Sequence, residues 1–395
     1  MLDAECEIVG AQYSKTIIQN PASNMSLLRE QRRAIGRAIV RSARSMHDVV
    51  FGKVSLPGPD QLPRRILIIR PFFLGDILLC LPVAQAIRKA RPDAHIAWLL
   101  REEWRDLIEH HSVVDEVIPF SSSKMHGVQA VGEFTRVARV LRSRAFDLVI
   151  NLTWDRSSII WTRLSGAPVR IGIEEYGRPR LLSLLCTHTV VAPERSQDDR
   201  HMADFYFEPM RLMGFEVREE LPKVVPSEDE AENVDLLLDS IPGKFLLIHP
   251  GGRLGSKRWP VERFEELIRK LGEKTSHALV LTCGPGEEPW VATLASSLPS
   301  GRGLFVPNPS LGELMALAKQ AELFIGNDSG PMHLAAASGC RVVAIFGKDP
   351  TRWKPLGDGH CILGGAQGLA AVGVEQVVAV TMVALDRGGR FCFRS

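Results

Sequence analysis

The sequence predicts an α/β fold in which two Rossmann-like, doubly wound domains face a central cleft. Short apolar runs alternate with helical segments along most of the chain, as parallel sheets covered by helices require. The same alternation begins again after an acidic, proline-containing segment near residue 226. The length of 395 residues is enough for two full hydrophobic cores. A cleft between two such domains is where ligand sites concentrate.

The composition argues against several classes of protein. The 48 basic residues are nearly balanced by 46 acidic ones, and a net charge of +2 argues against a nucleic-acid-binding protein. The seven cysteines include no CxxC pair, which indicates neither a disulfide framework nor a zinc site and favours a reducing compartment. No apolar stretch approaches about 18 residues and no secretory signal is recognisable, so we expect a cytoplasmic protein.

Residues 1–63 are predicted to form an extension ahead of the first domain. Within it, residues 27–50 can form a basic helix in which Arg33, Arg37 and Arg41 recur every four residues beside an apolar stripe. Such a helix can contact an anionic membrane surface peripherally. It can equally pack on the protein body through its apolar stripe, and the sequence leaves both alternatives open.

The first domain is predicted to cover residues 64–225. We expect strands at 65–70, 95–100, 116–120, 146–152, 169–173 and 189–191, and helices at 128–142 and 201–213. The turn after the first strand contains one glycine instead of the GxGxxG fingerprint, so we expect no nicotinamide or flavin cofactor. Asp76 follows that turn at a helix start. The helix dipole favours its ionised form, which can accept a proton from a hydroxyl, although Asp76 could instead cap the helix.

The second domain is predicted to cover residues 226–395, with a tail that can cross back to the first domain. We expect strands at 245–249, 278–283, 323–325 and 341–346, and helices at 261–274, 289–298, 311–320 and 332–338. Three turns at the carboxyl ends of these strands have the chemistry of a ligand site. In an open α/β sheet, such turns lie at the same edge.

The first of these turns is glycine-rich and carries Lys257, a point charge suited to phosphate, but it lacks the GKS or GKT of a P-loop. The second carries Glu287, which can hold ribose hydroxyls or lie in solvent at a helix start. In the third, Asp328 and Ser329 precede a helix whose free N–H groups suit an anion, and either residue could instead cap that helix.

Taken together, these motifs resemble glycosyltransferase family 9, the heptosyltransferases of lipopolysaccharide core assembly. The resemblance covers residues 64–360 and rests on RILIIRPFFLGDILL, HPGGRLGSKRWP, LTCGPGEEPW and LFIGNDSGPMHLAAASG. It implies a GT-B architecture with the acceptor in the first domain and a nucleotide-sugar donor in the second. It also implies inversion at the anomeric carbon without a metal or any other cofactor.

The resemblance assigns one catalytic residue and six donor-binding residues. Asp76 corresponds to the general base, and Lys257 to the cation that contacts the donor phosphates. The full donor-binding set is Lys257, Glu287, Asp328, Ser329, Gly330 and His333, of which Asp328 to Gly330 form the pyrophosphate-binding turn. His201 also matches a recurrent position of the family, with no role that the sequence can assign.

We therefore expect an inverting glycosyltransferase that moves a heptose or related sugar, with ADP-heptose as donor, to a lipid-linked glycan at the cytoplasmic membrane face. The alternative is a non-catalytic nucleotide-sugar-binding or scaffolding module of envelope glycan assembly. Asp76 argues against this alternative, because binding alone does not require a carboxylate in the acceptor cleft. A GT-B phosphorylase or epimerase fits the fold but not these particular turns.

Overall fold

A computed structural model describes residues 54–125, 127, 129–174, 181–192, 200–216, 224–365 and 367–386. Within these ranges the chain forms two six-stranded, fully parallel sheets with helices packed against them, as predicted. The predicted basic helix at 27–50 lies outside the described residues. None of the helices in the described ranges is both long and apolar enough to cross a membrane.

The first sheet has the strand order β3-β2-β1-β4-β5-β6. Its domain consists of β1 (Arg65–Ile69), α1 (Leu74–Ala90), β2 (His95–Arg101), α2 (Arg105–Glu109), β3 (Glu116–Phe120), α3 (Gln129–Ser143), β4 (Leu148–Asn151), α4 (Arg156–Leu164), β5 (Val169–Glu174), β6 (His188–Val191), α5 (Met202–Tyr206) and α6 (Glu208–Leu212). Strand β1 is buried on both faces, because Ile66 and Ile68 belong to one apolar cluster and Leu67 and Ile69 to another. This explains its uninterrupted apolar sequence.

The second sheet has the order β12-β11-β10-β7-β8-β9. Its domain consists of α7 (Glu228–Leu238), β7 (Phe245–His249), α8 (Val261–Lys274), β8 (Ala278–Cys283), α9 (Glu288–Val291), β9 (Gly303–Pro307), α10 (Leu311–Gln320), β10 (Leu323–Asn327), α11 (Gly330–Ala337), β11 (Val342–Phe346), β12 (Cys361–Gly364) and α12 (Val374–Asp386). In both sheets the order of strand addition reverses beside the first strand, between β1 and β4 and between β7 and β10. Ligands bind at the carboxyl ends of strands at such reversals.

Two predicted helices differ from the structure. The predicted helix at 201–213 is two short helices, α5 and α6, joined at Phe207. Pro209 lies in the first turn of α6, where its missing N–H is tolerated but where it could not continue α5. The predicted helix at 289–298 is the single turn α9 followed by a 3₁₀ helix, Ala292–Ser297.

Six of these elements were not predicted, namely α2, α4, α7, β9, β12 and α12. The acidic segment after residue 226 begins α7, where Ser227 and Glu230 form a reciprocal capping box. Helix α12 packs on the second domain: Val377 and Val378 lie in the same cluster as Ile268 of α8. Up to Asp386, the chain therefore stays on the second domain and does not return to the first. Residues 387–395 lie outside the described part of the chain.

Candidate active site

Asp76 is the third residue of α1 and only 8% exposed. Nη2 of Arg70 lies 2.6 Å from its Oδ1 atom, and the Tyr206 hydroxyl donates a hydrogen bond to the same oxygen. Asp76 does not cap α1, since its partners are these two side chains and the N-cap residue, Phe73, makes no side-chain cap bond. The structure therefore places Asp76 in a buried polar cluster at the carboxyl end of β1.

Arg70 is the cation of this cluster. Its Nη1 atom donates to the Leu152 carbonyl (2.8 Å), its Nη2 atom to the Tyr206 hydroxyl (3.0 Å), and its guanidinium lies 4.7 Å from the centre of the Tyr206 ring. Burial alone would lower the pKa of Arg70, but Tyr206 and Asp76 outweigh it and raise that pKa, so the guanidinium stays charged. Burial also raises the pKa of Tyr206, which keeps its hydroxyl protonated as a donor.

The turn between β1 and α1 is strained. Phe73 adopts φ 63° and ψ 117°, a conformation that costs a residue with a side chain on the order of 1–3 kcal/mol. Its ring is covered by the guanidinium of Arg253, whose carbon Cζ lies 4.4 Å from the ring centre. Because Arg253 belongs to the loop after β7, this cation–π contact spans the cleft between the two domains.

On the other side of the cleft, Asn327, the last residue of β10, is bonded to the loop that follows β7. Its Nδ2 atom donates to the carbonyls of Pro250 (2.6 Å) and Gly251 (3.2 Å), and its Oδ1 atom accepts from the Trp259 N–H (3.0 Å). Asn327 is fully buried, so these bonds fix the loop after β7 to the end of β10. As predicted, the loops after β7 and β10 bring Lys257 and Asp328 together, with Nζ 2.5 Å from Oδ2.

Neither Asp328 nor Ser329 caps α11 through its side chain. Ser329 is the N-cap residue but makes no side-chain cap bond, and Asp328 pairs with Lys257 instead. Within the described part of the chain, the buried Ser329 hydroxyl oxygen has no hydrogen-bond partner. An orphaned buried hydroxyl at a helix N-terminus is a reason to expect a ligand there.

Glu287 connects two loops of the second domain, those that follow β7 and β8. Its Oε1 atom accepts from the Gly252 N–H (2.7 Å) and its Oε2 atom from the Gly284 N–H (3.0 Å), while Nη2 of Arg258 lies 3.3 Å from Oε1. A Cβ atom at Gly251 would lie 1.8 Å from Oε2, so a glycine is needed at this close approach. Glu287 thus lies at the edge where it was predicted, and its carboxylate holds these loops together.

The two domains touch at the N-termini of α1 and α11. A Cβ atom at Gly75 would lie 2.7 Å from Cδ2 of His333, and one at Gly330 would lie 2.9 Å from Cβ of Leu74. Glycines at both positions allow the helices to approach this closely. His333 is buried, and burial, with smaller contributions from His201, Lys257 and His360, lowers its pKa to about 3. His333 is therefore neutral at physiological pH.

A cavity of about 410 Å³ lies in the first domain beside the turn that leads to Asp76. Its wall includes the rings of Phe72, Phe120 and Trp161, together with Arg101 and Ser122. Phe120 and Trp161 are almost fully buried, so the polar groups of this wall are the Arg101 guanidinium and the hydroxyls of Ser122, Ser123 and Ser157.

Several residues of the site were not singled out from the sequence: Arg70, Phe73, Tyr206, Arg253 and Asn327. A charge directly after an apolar strand was the available signal for Arg70. Tyr206 had no local signal, because it is 130 residues from Asp76 in the chain. Within the described ranges, no group of three or more His, Cys, Asp or Glu side chains is placed to hold a metal ion.

The family model described as Glycosyltransferase family 9 (heptosyltransferase) matches residues 134–376. The chain belongs to glycosyltransferase family 9. A relative of this family 9 chain is lipopolysaccharide heptosyltransferase 3 of Escherichia coli, which is 26% identical over 292 residues, covering 72% of this chain and 84% of the relative. The resemblance predicted from the sequence is thereby confirmed, and the protein is a glycosyltransferase.

Solved structures support the GT-B fold of this family 9 glycosyltransferase. A family 9 glycosyl transferase from Veillonella parvula has a TM-score of 0.73 at 23% identity, over 82% of this chain and 97% of that one. E. coli heptosyltransferase WaaC with ADP has a TM-score of 0.65 at 21% identity, over 81% of this chain and 99% of that one. At these sequence identities, the structural similarity shows a shared fold and nothing about substrates.

Proposed function

We propose that this glycosyltransferase moves a heptose or related sugar, with inversion, from ADP-heptose to a lipopolysaccharide-core or other lipid-linked glycan acceptor. The observation that carries the proposal is the contact between Gly75 and His333. Gly75 immediately precedes Asp76, and His333 lies one turn into the helix that follows Asp328. The helix that carries Asp76 and the helix that follows the turn proposed to bind the diphosphate therefore meet at the interface between the domains.

The relatives support the choice of sugar and nucleotide. One similar protein is a lipopolysaccharide heptosyltransferase of E. coli, and one similar structure is a heptosyltransferase with ADP. A fold and a phosphate-binding turn do not by themselves select a sugar, so the donor and the acceptor depend on these likenesses.

In the proposed reaction, an acceptor hydroxyl oxygen attacks the anomeric carbon while Asp76 takes the hydroxyl proton. The bond between that carbon and the phosphate oxygen breaks, and the nucleoside diphosphate leaves with the electron pair. Attack opposite the leaving group inverts the anomeric configuration. General-base assistance of this kind contributes about 10² to 10⁴ in rate.

Lys257 and the first N–H groups of α11 would stabilise the negative charge that develops on the departing diphosphate. Asp328 cannot attract a diphosphate itself, and its ion pair holds the Lys257 ammonium at the mouth of the turn. We propose that this cation and the helix N-terminus serve in place of a metal ion. The cavity beside Phe72 would receive the acceptor, since it opens next to the same turn as Asp76.

The site of action is also part of the proposal. A lipid-linked acceptor has its lipid in a membrane, and the basic segment at 27–50 could hold the enzyme peripherally on the anionic cytoplasmic face. This segment lies outside the described residues, so its support comes from the sequence alone.

Turnover with a panel of nucleotide sugars and lipid-linked acceptors tests this function. We expect transfer from ADP-heptose, a product of inverted anomeric configuration by NMR, and an unchanged rate in EDTA. Donor binding without transfer to any acceptor would instead support the non-catalytic module. Loss of activity in EDTA that Mg²⁺ restores would contradict the metal-independent reaction.

A further inference from the structure

The two carboxylate oxygens of Asp76 have different environments. Arg70 and Tyr206 both contact Oδ1, whereas Oδ2 accepts no hydrogen bond from any residue that the structure describes. A carboxylate held through one oxygen cannot rotate freely about its χ2 angle. The other oxygen is then left in a fixed direction for an incoming hydroxyl.

Tyr206 is the last residue of the five-residue helix α5, and the first turn of that helix is attached to the second domain. The Met202 N–H donates to the Arg352 carbonyl (3.0 Å). Nε2 of His201 lies 2.8 Å from the Lys354 carbonyl oxygen.

His201 must have a single tautomer to make these contacts. Its Nδ1 atom accepts a hydrogen bond from the Ala203 N–H (3.1 Å) and therefore carries no proton. The proton of the neutral ring is on Nε2, which donates it to the Lys354 carbonyl. His201 is thus both the N-cap of α5 and an interdomain hydrogen-bond donor, a role that the sequence did not indicate.

The segment that receives these bonds follows β11, the strand beside β10 in the second sheet. Asp328 directly follows β10, so both segments leave the same edge of the sheet that carries the predicted donor turn. Helix α5 therefore reaches from the donor-side domain to Asp76. Five helical residues span about 7.5 Å, a short and stiff connection.

We propose that Tyr206 is a positioning residue for Asp76, and that α5 makes this positioning depend on the donor-side domain through His201. This inference rests on the proposed role of Asp76 as the general base. When the second domain is in place, α5 presents the Tyr206 hydroxyl to Oδ1, and Oδ2 points to the acceptor. When the domains separate, the bonds to Arg352 and Lys354 are lost and Asp76 is less well ordered.

The test measures single-turnover transfer from ADP-heptose to the acceptor identified by the panel, together with ADP affinity and the thermal unfolding midpoint. Tyr206→Phe keeps the ring and removes only the hydroxyl. We expect its transfer rate to fall about 10-fold, which corresponds to about 1.4 kcal/mol. We expect unchanged ADP affinity, because Tyr206 lies outside the donor turn. A purely structural role would instead lower the unfolding midpoint and leave the rate unchanged, and would overturn the proposal.

His201→Asn tests the connection to the second domain. Asparagine is a good N-cap residue, so the variant preserves the cap of α5 but is too short to reach the Lys354 carbonyl. We expect a transfer rate about 3-fold below that of the wild-type protein. The control is Asp204→Asn on the same helix, whose side chain pairs with Arg200 and Arg211, and which we expect to transfer at the wild-type rate.

The double variant decides whether the two residues act together. If His201 acts through Tyr206, His201→Asn with Tyr206→Phe is no slower than Tyr206→Phe alone. Multiplication of the two single effects would overturn the coupling through α5. Failure of the proposed function has a different result, because the wild-type protein would then transfer no sugar from ADP-heptose to any acceptor. Failure of the general-base role would appear as an Asp76→Asn variant that transfers as fast as the wild type. Failure of this inference alone leaves Asp76→Asn inactive and Tyr206→Phe fully active.

Discussion

Nζ of Lys257 lies 2.5 Å from Oδ2 of Asp328. This ion pair joins the loops after β7 and β10 at the point where the strand order of the second sheet reverses. The lysine side chain is 35% exposed and the aspartate side chain 13% exposed. The carboxylate is therefore the anchor and the ammonium the accessible partner. A diphosphate arriving at α11 can contact this cation without displacing the buried carboxylate.

Removal of the ammonium should weaken donor binding more than removal of its anchor. We expect Lys257→Ala to reduce the binding free energy of ADP by about 1.5 to 3 kcal/mol, the usual contribution of a hydrogen bond to a charged group. Asp328→Asn should weaken binding less, because the lysine remains but is no longer held in place. Isothermal titration calorimetry with ADP measures both effects.

Lys274→Ala is the matched control for these variants, since Lys274 pairs with Glu375 on the outer helices of the same domain. It should bind ADP like the wild type. Unchanged affinity in both Lys257→Ala and Asp328→Asn would place the donor elsewhere.

Asp76→Asn should reduce the transfer rate by about 10² to 10⁴, the usual contribution of a general base. ADP affinity should stay the same. The substitution also leaves the buried Arg70 without its counter-ion, which costs on the order of 3–5 kcal/mol in stability. The unfolding midpoint must therefore be measured alongside the rate, at a temperature where the variant is folded. A folded Asp76→Asn variant with near wild-type rate at saturating substrate would end the general-base assignment.

His333 should make stability depend on pH. Its folded-state pKa of about 3 lies below the unfolded value of about 6.5, so the unfolded chain binds the proton first. The contribution of neutral His333 to the free energy of unfolding is complete above pH 6.5. It is lost as the pH falls from 6.5 towards 3, by up to about 1.4 kcal/mol per pH unit. The unfolding midpoint should accordingly fall less between pH 7.5 and 5 in His333→Gln than in the wild type.

Burial also lowers the pKa of His249 and of His360, so part of the pH dependence will remain in the variant. The informative quantity is therefore the difference between His333→Gln and the wild type in how far the unfolding midpoint falls from pH 7.5 to 5. The same slope in His333→Gln and the wild type would contradict a neutral, buried His333.

The basic segment at 27–50 leads to a prediction about membranes. Each arginine near an anionic surface contributes about 1 kcal/mol within a Debye length, so binding should be reversible and weaker at high salt. We expect the 395-residue protein to sediment with anionic vesicles at low salt, and a protein lacking residues 1–53, which retains Leu56 on the core of the first domain, to stay in solution. Equal sedimentation of both proteins would remove the membrane role, and a lower unfolding midpoint of the truncated protein would favour the packed helix.

Much of the fold could be predicted because its signals are local. Strand β7 and helices α8 and α10 have the predicted boundaries, since a run of apolar residues or an apolar stripe repeating every 3.6 residues requires no knowledge of distant contacts. Helix α12 was not predicted; Val377 and Val378 on it are buried in the same cluster as Ile268 of α8. Pro209 is a local signal for the break between α5 and α6, but the predicted helix at 201–213 ran through it.

By itself the sequence determined which turns would carry polar side chains at the carboxyl ends of strands, including those of Asp76, Lys257 and Asp328. Only the tertiary structure decided what those side chains do. Asp76 and Asp328 could each have been a helix cap, and the choice depends on partners that fold in from elsewhere: Tyr206 from 130 residues away, and Lys257 from the loop after a neighbouring strand. Short-range patterns reflect backbone periodicity and burial, whereas the geometry of a buried polar cluster depends on how separate elements pack.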